Sequence, residues 1–215
     1  MNYSAVIVAA GSSTRFGTGT NKMLYVFNDG TRVIDRTLKV FLEDDECTQI
    51  NVVCNREVDS YLRDNVSDER IQLYPGGASR SESVLNGLSG CREEIVLVHD
   101  GARCFLEKDD LAAVKKAVSM DNGAILVGRM VDTVKLVKDG YVVSTVDRDT
   151  LKRAQTPQRF PRAELLRCYR QAGKDHYETT DEAGLFERYS TMKTVCVDST
   201  GHNTKITFWD DVRGE

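Results

Sequence analysis

The stretch VIVAAGSSTRFGTGTNK, residues 6–22, decides the fold of this chain. It begins as a run of small apolar residues, which is typical of a strand buried in the middle of a sheet. It continues as a loop rich in Gly, Ser and Thr that ends in a lysine. Ligands of open α/β sheets bind at the carboxyl ends of the strands, which is where this loop follows. The stretch therefore predicts a central strand whose loop borders a ligand site.

Apolar runs of strand length alternate with segments of helical spacing along the rest of the chain. This alternation is typical of a mainly parallel sheet covered by helices on both faces. The predicted strands cover residues 5–10, 50–54, 70–74, 94–100 and 124–127, and helical spacing is found in residues 33–42 and 110–120. We therefore expect an α/β fold with a Rossmann-like, doubly wound sheet, as a single domain over residues 1–215.

Two further helices are predicted from capping boxes, in which Ser or Thr stands three positions before Glu. Ser79 with Glu82 predicts one helix, and Thr179 with Glu182 predicts another. Between them, residues 134–146 (VKLVKDGYVVSTV) place an Asp-Gly turn between two β-rich runs, which is a strong hairpin pattern. We expect this hairpin to project as an arm at about residues 133–150, packed locally or contacting a second subunit.

The composition is that of an ordinary globular protein, with 40% hydrophobic and 29% charged residues. The net charge of -4 argues against a general nucleic-acid surface. No uncharged apolar run is long enough to cross a bilayer, and the chain does not begin like a signal peptide. We therefore expect a cytoplasmic protein with no nucleic-acid or membrane partner. The six cysteines form no C-x-x-C pair and are expected to be reduced thiols.

Arg15 and Lys22 bring fixed positive charge to the glycine-rich loop, as a triphosphate site requires. The loop matches neither G-x-G-x-x-G nor the G-x-x-x-x-G-K-[ST] phosphate loop, which argues against dinucleotide dehydrogenases and P-loop NTPases. The alternative is a surface turn with two solvated cations. This stretch alone supports the two interpretations about equally.

Two other strand ends carry residues suited to a nucleotide site. In PGGASRSES, residues 75–83, paired glycines would let the backbone approach a flat base. Arg80 stands in the first helical turn, where a cation opposes the helix dipole, so we expect an anion beside it or else a surface arginine. In VHDGAR, residues 98–103, Asp100 ends a central strand and could meet Mg²⁺ or a hydroxyl, or cap the next turn. We expect His99 to be a packed polar residue.

The ordered set AAGSSTRF, GGASRSES, VHDGAR, TVDR, QTPQRF, TTDEA and NTKIT resembles the 2-C-methyl-D-erythritol 4-phosphate cytidylyltransferase family of the non-mevalonate isoprenoid pathway. The likeness runs from residue 6 to about residue 211. Ribitol-5-phosphate cytidylyltransferases share most of these segments, but HDGAR and TVDR favour the isoprenoid family. A non-catalytic nucleotide-binding paralogue and an NAD-dependent oxidoreductase are weaker alternatives. The first has less need of Arg15 and Lys22, and the second lacks its fingerprint.

The resemblance implies a role for each matching residue. CTP and a sugar-alcohol phosphate are the implied substrates, and the family is dimeric through the hairpin arm. The implied nucleotide-binding residues are Ala9, Ala10, Gly11, Gly77, Arg80, Ser83 and Asp100. The implied catalytic residues are Arg15, Lys22, Arg148 and Lys205, and the implied acceptor-binding residues are Arg103, Thr133, Arg148, Thr156 and Thr180. Mg²⁺ is the implied cofactor, held mainly by the CTP phosphates, with Asp100 as a candidate ligand.

Three positions depart from the family pattern. Asn21 and Cys104 stand where Pro is usual, and Met23 stands where Gln is usual. The resemblance implies that Asn21 loosens the loop, but no departure removes a charged group that the chemistry needs. The chain also ends soon after Trp209, before the end of the usual final helix, and we expect activity to survive. Thr133 and Arg148 lie at the arm, where both a cis and a trans role are open.

Overall fold

Nine strands and six α-helices are found in residues 1–17 and 19–213, the part of the chain that the computed structural model describes. The strands are β1 (Tyr3–Ala9), β2 (Cys47–Cys54), β3 (Ile71–Pro75), β4 (Ile95–Asp100), β5 (Asn122–Arg129), β6 (Val134–Lys138), β7 (Tyr141–Val146), β8 (Lys152–Pro161) and β9 (Lys193–Asp198). The helices are α1 (Val33–Leu42), α2 (Arg56–Asn65), α3 (Arg80–Ser89), α4 (Lys108–Ala117), α5 (Arg162–Lys174) and α6 (Glu182–Tyr189). Thr18 of the predicted loop and residues 214–215 of the predicted domain lie outside the described residues.

Seven strands form one sheet in the order β3-β2-β1-β4-β8-β5-β9. Neighbouring strands are parallel except at β8, which runs antiparallel to both β4 and β5. Strands β6 and β7 pair with each other in a separate antiparallel hairpin, as their Asp-Gly turn predicts. The α/β fold, its mainly parallel sheet and the separate hairpin are thus confirmed.

The core has two layers because the side chains of β1 alternate between the faces of the sheet. Ala5 and Ile7 pack in the layer with α1, α2 and α4, whereas Val6 packs in the layer with α3, α5 and α6. Five of the six cysteines are buried, and Cys196 on the edge strand β9 is exposed. Helices therefore cover both faces, as doubly wound sheets require. None of the described helices has the length and apolar character of a membrane span.

A glycine sets the distance between α3 and the sheet. A Cβ atom added to Gly87 would lie 2.5 Å from a methyl carbon of Val6 and 2.7 Å from one of Val53. Only glycine allows this approach, which brings the first turn of α3 to the carboxyl end of β1. The beginning of this helix is therefore fixed beside the glycine-rich loop.

Predicted boundaries differ from the observed ones by a few residues, and one predicted cap is wrong. Ser79 caps α3 by accepting a hydrogen bond from the backbone N–H of Glu82 at 3.1 Å. Helix α6, however, begins at Glu182 with Asp181 as its N-cap, and the Asp181 side chain accepts from the N–H of Gly184 at 3.0 Å. Thr179 instead donates to the backbone oxygen of Asp181. Asp181 takes the cap because it directly precedes the first helical residue.

Candidate active site

A cleft of about 460 Å³ opens at the carboxyl ends of β1 and β4. Ten residues predicted for the site line it: Ala9, Ala10, Gly11, Arg15, Lys22, Gly77, Arg80, Ser83, Asp100 and Lys205. Six further lining residues were given no site role from the sequence: Val8, Ser12, Met23, Ala78, Ser79 and Ala102. The residues come from four separated segments of the chain, so the fold brings together most of what the motifs predict for the nucleotide.

Hydrogen bonds from side chains hold the glycine-rich loop. The hydroxyl of Ser13 accepts from the backbone N–H of Lys22 at 3.1 Å. Asn21 accepts from the N–H of Met23 at 3.1 Å, and its amide donates to Asn55 at 3.1 Å and Glu57 at 3.2 Å. Whether Asn21 loosens the loop relative to proline stays a prediction. In place of proline rigidity, its side chain joins the turn before Lys22 to the beginning of α2.

The second wall of the cleft is the loop between β3 and α3. Its Gly77 N–H donates to the Ser83 hydroxyl at 3.0 Å, and that hydroxyl donates to the backbone oxygen of Ser79 at 2.9 Å. A Cβ atom on Gly76 would lie 2.4 Å from the Cβ of Ala10. The two loops thus touch at positions without room for larger side chains, and the cleft opens between them.

Asp100 is the electrostatic centre of the cleft. Its carboxylate oxygens lie 2.8 Å from Lys205 Nζ, 3.5 Å from Arg80 Nη2 and 3.6 Å from Arg103 Nε. Burial alone would raise the pKa of Asp100, but these three cations outweigh burial and hold the pKa far below its ordinary value. Asp100 is therefore a fixed anion that orients the cations, and it does not act as a proton donor.

The anion expected beside Arg80 is a side chain of the protein itself, Glu182. Its guanidinium forms two hydrogen bonds with Glu182, Nη1 to Oε1 at 2.8 Å and Nη2 to Oε2 at 3.0 Å. Glu182 is fully buried and also accepts from the Tyr169 hydroxyl at 2.8 Å. Although burial lowers the pKa of Arg80, Glu182 and Asp100 raise it above its ordinary value. This role of Glu182 was not predicted from the sequence, in which Glu182 has the pattern of a capping residue.

Lys22 and Arg15 complete the positive side of the cleft. Lys22 Nζ donates to the backbone oxygen of Ile206 at 2.8 Å. Burial lowers the pKa of Lys22, and the nearby charges of Lys205 and Arg15 lower it further. An anion entering the cleft would reverse this effect, since it would favour the charged ammonium. The arrangement is thus suited to a ligand that carries several negative charges.

Thr156 lies beneath the cleft and does not line its wall. Its hydroxyl accepts from the N–H of Asp100 at 3.0 Å and lies 3.1 Å from Nδ1 of His99, whose Nε2 lies 3.1 Å from the backbone oxygen of Arg103. Because that backbone oxygen only accepts, Nε2 carries the proton and Nδ1 accepts from Thr156. His99 is therefore a packed polar residue, as expected. The chain of bonds fixes the turn from Asp100 to Arg103.

Three residues named for the acceptor lie away from this cleft. Thr133 and Thr180 are exposed, at the arm and in the loop before α6. Arg148 lies in a 3-10 turn at the foot of the arm, where its Nη1 donates to the backbone oxygen of Val131 at 2.6 Å. Arg103 lies next to the cleft through Asp100, and it donates to the backbone oxygen of Asn203 at 2.8 Å. Their roles in acceptor binding stay predictions.

The described residues do not form a metal site of their own. Within residues 1–17 and 19–213, no group of three His, Cys, Asp or Glu side chains is arranged to hold an ion. Asp100 is the one carboxylate among the residues that line the cleft, and both of its oxygens face cations. The described lining thus offers an ion no set of protein ligands, and Mg²⁺ held mainly by the phosphates of CTP stays an expectation.

Comparison with known proteins shows the family to which the chain belongs. The sequence model of the 2-C-methyl-D-erythritol 4-phosphate cytidylyltransferase family matches residues 3–214. The chain belongs to this family. Cytidylyltransferases of that name from Bacillus licheniformis and Shouchella clausii are 35% and 37% identical to it, over 99% of this chain and over 93% and 94% of theirs.

Solved structures of cytidylyltransferases of this family share the fold along the whole chain. A 4-diphosphocytidyl-2C-methyl-D-erythritol synthase from Anaerococcus prevotii has a TM-score of 0.87 at 28% identity, covering 98% of this chain and 94% of its own. The 2-C-methyl-D-erythritol 4-phosphate cytidylyltransferase from Francisella tularensis has a TM-score of 0.82 at 28% identity, covering 99% and 97%. The resemblance seen in the sequence motifs is thereby confirmed.

Proposed function

We propose that this cytidylyltransferase transfers CMP from CTP to 2-C-methyl-D-erythritol 4-phosphate, forming 4-diphosphocytidyl-2-C-methyl-D-erythritol and pyrophosphate. Family membership supports the reaction class and both substrates. The observation that carries the proposal is the convergence of Arg15, Lys22 and Lys205 on one cleft in a chain of net charge -4. Such a concentration of cations in an acidic protein is suited to a triphosphate.

The reaction needs charge neutralisation more than proton transfer. An oxygen of the acceptor phosphate attacks the α-phosphorus of CTP, a new P–O bond forms, and the bond to the bridging oxygen breaks as pyrophosphate leaves. The attacking oxygen is already anionic, so no general base is required. Lys22 and Arg15 would stabilise the charge that develops around the α-phosphate. His99 is not a rival base, since both of its ring nitrogens are engaged below the cleft.

Arg80 and Asp100 have a different proposed part. The charge of Arg80 is compensated by Glu182 and Asp100, so Arg80 would act mainly as an oriented hydrogen-bond donor to the nucleoside. Lys205 and Arg103 share the charge of Asp100 and would meet the acceptor. Mg²⁺ is part of the proposal only as an ion carried by the phosphates of CTP.

The exposed arm supports a further part of the proposal, namely that the chain forms a homodimer. Its side chains are exposed along both strands, including Tyr141 at 79%, Val142 at 64% and Val137 at 55%. Burying this apolar hairpin against a second subunit would remove it from water. We propose that the chain acts as one domain whose arm carries Thr133 and Arg148 to the partner's cleft. A cytoplasmic location, where CTP is formed, completes the proposal.

Pyrophosphate release with CTP and Mg²⁺ tests the function, with methylerythritol phosphate and ribitol 5-phosphate compared as acceptors. We expect turnover with methylerythritol phosphate. Turnover with ribitol 5-phosphate alone would move the activity to the sister family. If neither acceptor gives pyrophosphate release while CTP still binds, a non-catalytic nucleotide-binding protein is favoured. Binding of NAD without CTP-dependent pyrophosphate release would indicate an oxidoreductase instead.

A further inference from the structure

The segment after β9 contacts the parts of the cleft that carry Asp100 and Lys22. Lys205 forms an ion pair with Asp100 at 2.8 Å, and the backbone oxygen of Ile206 accepts from Lys22 Nζ at 2.8 Å. The segment is anchored by two fully or almost fully buried side chains, Ile206 and Val212. A 3-10 turn, Trp209–Val212, follows Ile206 and has Val212 as its own buried residue. Buried side chains thus hold the segment before the turn and at its end.

Trp209 packs on the two turns that carry Arg15 and Lys22. Its ring centroid lies 5.6 Å from that of Phe16 and 5.4 Å from that of Tyr25, both edge-to-face. Phe16 and Tyr25 lie 5.9 Å apart, so the three rings form a closed triangle. Phe16 directly follows Arg15, and Tyr25 ends the turn that begins at Lys22. Edge-to-face aromatic pairs of this kind have a preferred geometry and resist sliding.

We propose that Trp209 is a positioning residue for Lys22 and Arg15. Trp209 does not line the cleft, so it acts on the substrate only through these two cations. Its ring joins their turns to the segment that bears Lys205, and the three charged groups are thereby held at fixed separations. This inference rests on the proposed reaction, because it concerns the cations assigned to the α-phosphate of CTP.

Repulsion between the cations explains why a ring that holds their turns is useful. Lys22 and Arg15 repel each other and Lys205, as the lowered pKa of Lys22 also reflects. The loop that carries Arg15 is exposed on both sides of Phe16. Without the triangle, repulsion would move these side chains apart, and a displacement of about 1 Å can cost roughly a hundredfold in rate. Trp209 opposes that movement from behind the cleft.

Three variants test the proposal by kinetics and by CTP affinity. In Trp209→Ala we expect kcat/KM for CTP to fall about tenfold or more, and calorimetry to show weaker CTP binding. Trp209→Phe, which keeps a ring, should retain most of the activity. Phe208→Ala is the matched control, since Phe208 is the exposed neighbour on the same segment and has none of these ring contacts among the described residues. It should behave like the wild type.

A mutant cycle in a background that lacks both cations separates positioning from general damage. If Trp209 acts only through Lys22 and Arg15, then Trp209→Ala should cost less than about threefold in the Lys22→Ala, Arg15→Ala background, because neighbouring residues with a shared function are not additive. A full additive loss would overturn the proposal. Equal losses in Trp209→Ala and Phe208→Ala would overturn it as well. If Trp209→Ala does not fold by far-ultraviolet circular dichroism, Trp209→Leu replaces it in the same cycle.

Different results would contradict the positioning role of Trp209 and the proposed reaction. If the wild type releases no pyrophosphate with methylerythritol phosphate, the reaction is wrong, but CTP affinity by calorimetry still measures the effect of Trp209. If the wild type turns over and Trp209→Ala matches it in both rate and CTP affinity, the reaction stands and the positioning role is wrong.

Discussion

Lys22 is the residue on which the proposed chemistry depends most. It is half-buried, faces the cleft and has a backbone partner that fixes its ammonium. We predict that Lys22→Ala lowers kcat by roughly a hundredfold or more, the scale seen when one preorganised charge-stabilising donor is removed. Steady-state pyrophosphate release measures this loss, and circular dichroism confirms that the variant is folded. Turnover near that of the wild type would remove Lys22 from the proposed mechanism.

The Arg80–Glu182 pair should matter for stability as well as for binding. Glu182→Gln would leave a largely buried guanidinium without its main counter-charge. Breaking a buried pair from one side costs roughly 3–5 kcal/mol, and since the Arg80 side chain is 25% exposed we expect the lower part of that range. Denaturant unfolding measures the loss. Glu187→Gln, at an exposed position of the same helix, is the control and should change stability little.

Single residues show why the site was only partly predictable from the sequence. Arg15 and Lys22 lie on the loop that directly follows the buried strand β1, so their place near its carboxyl end follows from local pattern. Glu182 is 102 positions from Arg80, and no local pattern connects them. Thr156 shows the opposite case. Its motif suggested contact with the acceptor, but its hydroxyl is used to hold Asp100 and His99.

The arm is the element whose proposed function depends on a partner subunit. Arg148 lies at its foot, outside the cleft lined by Lys22. If arms exchange between subunits, Arg148→Ala and Lys22→Ala each inactivate a different part of a shared site. We predict that mixing the two inactive variants restores part of the activity, because mixed dimers contain one cleft with both residues intact. Recovery is measured after subunit exchange has been verified by mass spectrometry. No recovery would show that Arg148 acts within its own subunit.

Strands were predictable from the sequence where nearly all of their side chains are apolar and buried. The runs that became β1, β2, β4 and β5 are almost unbroken in apolar residues, and each was located to within a few positions. Strand β8 was missed because its buried half contains Gln, Thr and Arg. These side chains are satisfied by distant partners, as when Gln158 donates to Asp181 at 2.9 Å. A polar strand in the middle of a sheet becomes recognisable only once such partners are known.

Across the whole molecule, charge is distributed unevenly. The chain carries a net charge of -4, while the cleft gathers several cations around one carboxylate. We predict that raising the salt concentration from 0.1 M to 1 M weakens CTP binding, because the Debye length falls from about 10 Å to about 3 Å. Calorimetry measures the change. Cytidine, which has no phosphate, should bind with little dependence on salt, and equal salt effects on both ligands would contradict a phosphate-directed cleft.

Trp209 also gives the molecule an internal optical probe. It is the only tryptophan of the 215 residues, its indole is 40% exposed, and it touches both turns that bear the cleft cations. Tryptophan fluorescence therefore reports on one known position in the molecule, without an attached dye. Any ligand that shifts the turn of Lys22 or Arg15 should change the emission intensity or wavelength. Nucleotide entry could then be followed by stopped-flow mixing in the unmodified enzyme, before any product has formed.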